Sequence, residues 1–335
     1  MSCAHLQWQM GMSKDKTTIF LFWSLIFILL IIGSPAYGQI VQKGDVAWKA
    51  NVQEPAFLIG SGPRIRIDAG HGNWHTESGR FKAFSLLASS DGFQVSSHDG
   101  LITEEALALT DILVIANAAG RKLDLEATQF QWVNPIEAAF NRQETALLRK
   151  WVEDGGSLLL IADHAPFAGA MDSLAAAFDL VFLNGYAMNV VNNNSVLRIG
   201  SVNGSIPDHP IFEGRNAGEK VTSLMAFGGQ AFRATRSVDP LLVIPEQWQV
   251  ALPTNSEAKL EDVALVPARG LLQGAAFQIG SGRVAVFGEA AMFTAQTVKR
   301  GDGSTLKVGM NNPEAGQNQQ FTLNVLHWLA DLLNN

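Results

Sequence analysis

The sequence predicts an α/β fold with a mostly parallel sheet and a β-rich extension. Three observations lead there. The runs 112–116 (ILVIA) and 157–162 (SLLLIA) have no polar face, the mark of strands buried on both sides. Strand-like and helix-like segments alternate from residue 63 to about 185. Finally, 47% of the 335 residues are hydrophobic and only 16% are charged, enough to build a large core and too apolar for a disordered chain.

The elements follow in order. Residues 39–62 show no period and are expected to be an extended lead-in. Residues 64–68 (RIRID) alternate like a strand, which Ala69-Gly70 breaks. A helix is expected over 81–87, a second strand over 93–95, a short helix over 103–109, and the apolar strand at 112–116. A long connection, 117–140, contains Trp132 and Phe140. Asn141 then begins a helix, with Glu144 three residues on in a capping-box arrangement. Leu147, Leu148, Trp151 and Val152 form its apolar face, and Gly155-Gly156 stops it. The strand at 157–162 ends at Asp163-His164, and a helix is expected over 171–178. The stretch 185–273 is rich in Asn, Gly and short β-like runs, including 221–225 and 241–244. It reads as an extension of the sheet or an insertion. Two apolar runs around Gly280-Ser281-Gly282 predict a hairpin. A last helix is expected over 319–333, with Phe321, Val325, Trp328 and Leu332 on one face.

Residues 1–38 are read as a secretory signal peptide. Lys14 and Lys16 precede an apolar run at 18–32, and Ala36 and Gly38 supply the small residues before a cut at Gln39. The run is about 15 residues, short of the roughly 20 that cross a bilayer. The expectation is a periplasmic or secreted protein with no membrane span after cleavage; an uncleaved anchor is the alternative. The single cysteine, Cys3, lies in this leader, so the mature chain has no Cys nucleophile and no Cys metal ligand. With 24 Lys+Arg against 31 Asp+Glu, a strongly basic nucleic-acid binder is excluded.

In open α/β sheets, ligands sit beyond the carboxyl ends of the strands. The first strand delivers Asp68, then His71, Asn73, Trp74 and His75. The 112–116 strand delivers Asn117, the 157–162 strand Asp163-His164, and the late strand Glu289. Two readings stay open. In one, Asp68, His71, His75, Asp163 and His164 converge on a divalent metal or run acid–base chemistry, as imidazole and carboxylate can. In the other, the aspartates cap loops and the histidines satisfy backbone groups. Glu289 is either a general acid or base, or an acceptor for loop N–H groups. Asn117 orients a ligand or caps the next segment; Trp74, Phe167 and Met292 wall a pocket or fill the core. Asp208-His209-Pro210 reads as structural. There is no G-x-S-x-G elbow and no phosphate-binding G-x-x-x-x-G-K-[ST] loop.

Asp68-Ala-Gly-His71-Gly-Asn73-Trp-His75-Thr76, followed by Gly79-Arg80-Phe81, resembles the opening of a family of uncharacterised domains in the class I glutamine amidotransferase-like superfamily. Related domains occur in gliding-motility ABC-transporter auxiliary proteins and in intraflagellar-transport proteins. The segments 151–164 and 282–289, with 318–321 and the 326–329 helix, are similar to that superfamily, including trehalose-utilisation-like proteins. The resemblance covers about 63–333 and implies a flavodoxin-like sheet, helices on both faces, and a site at its carboxyl edge. It does not carry glutaminase activity, because Asp163-His164 stand where the amidotransferases have their cysteine.

The resulting expectation is an exported protein whose pocket takes a small polar or carbohydrate-like ligand. If it is an enzyme it is a hydrolase, with His71 or His164 as general base, Asp163 and Glu289 beside them, and metal assistance an open alternative. Asn73, Trp74, Asn117 and Phe167 are the expected ligand contacts. The competing expectation is a non-catalytic binding or assembly module with an envelope protein partner. Fold analogy does not choose between them.

Overall fold

The computed structural model describes residues 41–121, 131–200, 206–300 and 303–333. The predicted leader lies outside the described residues. A nine-stranded sheet forms the centre. Its strands are β1 (Arg64–Asp68), β2 (Gln94–His98), β3 (Ile112–Ala116), β4 (Ser157–Ile161), β5 (Leu180–Phe182), β6 (Phe232–Ala234), β7 (Asp239–Val243), β8 (Leu272–Ile279) and β9 (Gly282–Phe287). The parallel half runs β2-β1-β3-β4-β9. That is the strand order of the flavodoxin-like doubly wound sheet, so the predicted fold class is observed. The rest is antiparallel: β8 pairs with β9, β7 and β6, and β6 pairs with β5.

The helices are α1 (Lys82–Ser90), α2 (Glu104–Ala108), α3 (Arg142–Glu153), α4 (Phe167–Ala170), α5 (Asp172–Ala177), α6 (Pro210–Glu213) and α7 (Asn318–Leu329). Successive strand residues face opposite sides of a sheet. Val114, Leu159 and Ile161 accordingly join Phe84 of α1 and Phe321, Val325 and Trp328 of α7 in one core. Leu113, Ile115, Leu158 and Leu160 join Leu107 of α2, Leu148 and Val152 of α3 and Leu174 of α5 in the other. All five residues of β3 and of β4 are buried, which explains their unbroken apolar sequence. Each such side chain contributes about 1.5–3 kcal/mol of burial free energy.

Helix α3 starts on the predicted capping box. The Asn141 side chain accepts the Gln143 and Glu144 N–H groups, and Glu144 returns to the Asn141 N–H. Gly155 takes φ +118° to end the helix, and a Cβ on Gly156 would meet the Trp151 ring at 2.2 Å. The hairpin of β8 and β9 closes on Gly280-Ser281 with Ile279 opposite Gly282, and Gly280 has φ +57°.

Two expectations are corrected. The last helix ends at Leu329, and Leu332 lies beyond it, 37% exposed. Asp331 adopts φ +61°, its N–H returns to Trp328 O, and the Leu332 N–H returns to His327 O. This is a Schellman ending built without glycine, and so without its usual sequence signal. The lead-in is not merely extended, because Val41–Gly44 pairs antiparallel with Ala295–Lys299, which pairs with Thr305–Gly309. The 185–273 stretch is both extension and insertion. It supplies β6, β7 and the start of β8, and it also builds two small sheets from Tyr186–Met188, Gln249–Leu252 and Ala264–Pro267, and from Leu197–Gly200 and Ser223–Ala226. No described helix is long and apolar enough to cross a membrane.

Candidate functional site

The parallel strands bring Asp68, Asn117, Asp163-His164 and Gly288-Glu289 to one edge of the sheet. There the predicted residues divide into two clusters.

The first is closed. The His71 Nδ1 lies 2.9 and 3.0 Å from the two Asp68 oxygens, and its Nε2 lies 2.9 Å from Glu144 Oε1. Asn73 donates to Asp68 Oδ2 at 3.0 Å and accepts the His71 N–H. Glu144 Oε1 also takes the Ile102 N–H at 3.0 Å, and its Oε2 accepts from Asn141. The imidazole stacks on Phe140 with centroids 4.1 Å apart. Burial opposes a charge on His71, but the bonds and charges of Asp68 and Glu144 outweigh it and hold the ring's pKa above its ordinary value. Burial likewise opposes the charge on Glu144, yet the Ile102, His71 and Asn141 hydrogen bonds keep its pKa below the usual range. His71 is 5% exposed, and both ring nitrogens are committed.

The second cluster surrounds a cavity of about 120 Å³, lined on its apolar side by Trp74, Trp132, Phe167 and Tyr186. Its polar lining includes His75, Asn117, Asp163, His164 and Glu289. Asn117, the residue after β3, organises it. In the left-handed conformation (φ 50°) that Asn tolerates, its N–H donates to Ile161 O and its carbonyl accepts the Trp74 N–H, both at 2.9 Å. Its side-chain oxygen accepts the Asp163 N–H at 2.8 Å, and its amide nitrogen donates to His75 Nδ1 at 3.1 Å. One side chain thus joins three strand ends.

His164 donates from Nδ1 to its neighbour's carbonyl, Ala165 O, at 2.8 Å and stacks on Tyr186 with centroids 4.7 Å apart. Its Nε2 makes no hydrogen bond among the described residues, which leaves that lone pair to accept a proton. The Tyr186 hydroxyl donates to the same carbonyl at 3.3 Å, and burial pushes its pKa up. Asp163 accepts its own neighbour's N–H, that of His164, at 2.7 Å, and the Ala290 N–H at 3.3 Å. Glu289 accepts the Ala291 and Met292 N–H groups at 2.7 and 2.8 Å, the loop-acceptor role expected as one alternative. Burial, with the adjacent Asp163 charge, raises its pKa well above the ordinary carboxylate range despite those donors. His75 is pushed the other way, well below its ordinary value, by burial and then by the charges of Arg80 and His164.

The structure therefore brings together Trp74, His75, Asn117, Asp163, His164, Phe167 and Glu289. It sets Asp68, His71 and Asn73 apart in the closed cluster, because Glu144 reaches back from α3 to hold them. The five-residue metal set is split accordingly. Among the described residues no group of three or more His, Cys, Asp or Glu side chains is placed to hold a metal ion. Met292 is buried and is not among the lining residues. Tyr186 was not singled out by sequence; it lies at the head of a short strand whose partner, Gln249–Leu252, is more than sixty residues away.

No family model matches the chain, and no curated protein matches it. Among solved structures it is similar to the mmIFT52 N-terminal domain, at 15% identity and a TM-score of 0.50, over 79% of this chain and 96% of that one. A cytoplasmic protein of Salmonella typhimurium LT2 aligns at 14% identity and a TM-score of 0.40, over 79% and 98% of the two chains. A ThuA-like protein of Parabacteroides merdae aligns at 10% identity and a TM-score of 0.40, over 82% and 92%. The likeness to the mmIFT52 domain is one of fold, which is the coarser part of the resemblance read from the sequence.

Proposed function

We propose that the cavity binds a small polar, carbohydrate-like ligand. The observation that carries this reading is the lining: four aromatic side chains, Trp74, Trp132, Phe167 and Tyr186, enclose a few convergent polar groups at the carboxyl edge of the sheet. Aromatic faces cover the C–H faces of a sugar, while Asn117, Asp163 and His164 meet its hydroxyls. The test is titration of the purified protein with mono- and disaccharides, read by tryptophan fluorescence. Saturable quenching is expected, lost in Trp132→Ala. If no saccharide changes the fluorescence or the thermal midpoint, the reading falls.

A second reading adds hydrolysis, supported by the uncommitted Nε2 of His164. Its Nδ1–H is held by Ala165 O, so Nε2 is the basic nitrogen, placed to take a proton from water or a hydroxyl. Turnover of a bound glycoside is expected to fall about 100-fold or more in His164→Ala, with binding much less affected. Binding without turnover in either protein makes this a binding module instead. The apolar run at 18–32 and the small residues before Gln39 support a site of action in the periplasm or outside the cell.

A further inference from the structure

A second cavity, of about 180 Å³, adjoins the first, and Trp132 and Pro166 line both. Its other walls are Ala119, Val133, Pro135, Ile136 and Ala170, whose side chains have no hydrogen-bonding group. Arg121 and Glu137 complete its described lining; both are exposed, and Arg121 donates to Gln131 O at 2.5 Å. An apolar cluster spans the two cavities, since Ala119 of the second packs with Trp74 and Phe167 of the first. Trp132, shared between them, is tied to the insertion. Its carbonyl accepts the Ser256 N–H at 3.0 Å, and the Asn134 N–H donates to Thr254 O at 2.8 Å. The polar groups lie on one side only: Asn117, Asp163 and His164 line the first cavity and are absent from the described lining of the second.

We propose that the second cavity is an aglycone site. The ligand is a glycoside whose sugar ring occupies the first cavity and whose apolar aryl or alkyl group lies past Trp132 in the second. The inference deepens the binding reading above and rests on it for the sugar ring. An apolar group placed there takes its own surface and that of the walls out of water, a gain that grows with the area covered. Val133, left 69% exposed, has the most to gain. A second sugar in the same place would set hydroxyls against Val133, Pro135 and Ile136, where they lose water and find no side-chain partner. Arg121 and Glu137 carry opposite charges, so together they favour neither an anionic nor a cationic group.

The test is calorimetric titration of the intact protein with the methyl, phenyl and hexyl glycosides of glucose and mannose, both anomers, and with disaccharides of the same sugars. A phenyl or hexyl glycoside is expected to bind at least about tenfold tighter than its methyl counterpart, and the disaccharides no tighter than the methyl glycoside. Equal affinities across the methyl, phenyl and hexyl series, or tightest binding of a disaccharide, overturn the proposal. Val133→Ser and Ile136→Ser locate the effect. In each, the ratio of phenyl to methyl affinity is expected to fall toward one, and Val133 is exposed enough for its variant to keep the fold. A ratio unchanged in both puts the apolar group elsewhere and refutes the assignment. A separate arm adds phenol and hexanol alone and follows the ¹H–¹³C methyl resonances of Ala119, Ile136 and Ala170. Saturable shifts are expected there without any sugar. If these methyls shift while no glycoside binds, the carbohydrate reading fails and the second cavity stands as an apolar site. Methyls that do not move overturn the second cavity itself.

Discussion

Two histidine–carboxyl clusters lie at the same edge of this sheet, and they share the short loop after β1. The His71 cluster is closed: both ring nitrogens face carboxylates, Asn73 donates to Asp68, and Glu144 also takes the Ile102 N–H. The cluster around the cavity is open. Among the described residues His75 keeps an orphaned Nε2, and His164 keeps an uncommitted one. Residue types do not distinguish the two, since both hold histidine, acid and asparagine. What differs is saturation. A closed polar network fixes a structure and has no capacity left for a ligand, whereas an open one pays a desolvation cost that a ligand can relieve.

The largest effect should come from breaking the closed cluster. His71→Ala leaves the Asp68 carboxylate, with 0% exposure, and Glu144 without their shared partner. Removing one member of a buried ion pair costs about 3–5 kcal/mol, and urea unfolding should show that loss. His164→Ala removes a half-buried ring from the open cluster and should cost about 1 kcal/mol or less. Equal losses in the two variants would erase the distinction.

The pH dependence of stability sharpens the contrast, because the two loop histidines act with opposite sign. His71 titrates higher in the folded state than its ordinary value near 6.5. Its contribution is present in full below about pH 6.5 and is lost as pH rises through the folded value. His75 titrates far lower when folded, so the unfolded chain takes up a proton that the fold refuses. Its contribution is present above about pH 6.5 and is lost as pH falls. Unfolding free energies measured from pH 5 to 9 should show His71→Gln flattening the alkaline limb and His75→Gln flattening the acid limb. The same limb flattened by both would contradict the assignment.

A smaller loss is expected at the cap that steadies the closed cluster. Asn141→Ala removes the acceptor for two helix N–H groups and the amide that holds Glu144 Oε2 at 2.7 Å. A loss of about 1–2 kcal/mol in thermal or urea unfolding is expected, the upper part of the capping range.

This cap also shows what the sequence could and could not reveal. The Asn141–Glu144 spacing is local, and so it was readable, as were the apolar β3 and β4 and the hairpin turn at Gly280-Ser281. Asp163, His164, Asn117 and Glu289 were found because strand ends in a parallel sheet converge by geometry. Glu144's second role was hidden: its other oxygen reaches His71, 73 residues earlier in the chain. Without that contact His71 and His75 look alike, four residues apart on one loop. Tyr186 and Gln42, both lining the cavity, were missed for a related reason. Each lies on a short strand placed by distant partners, and short strands carry little periodicity of their own.

The smallest effect should come from the Tyr186 hydroxyl, and it separates ring from polar group within the open cluster. The hydroxyl donates at 3.3 Å to Ala165 O, which already accepts His164 Nδ1–H at 2.8 Å. Removing it leaves that carbonyl satisfied and the histidine held. Tyr186→Phe should therefore change stability by about 0.5 kcal/mol or less and leave saccharide binding intact. Tyr186→Ala deletes the face that stacks on His164 and a wall of the cavity, so binding should weaken about tenfold or more. Calorimetric titration of both variants decides it. If Tyr186→Phe loses as much affinity as Tyr186→Ala, the hydroxyl is itself a ligand contact and the open cluster extends beyond its histidines.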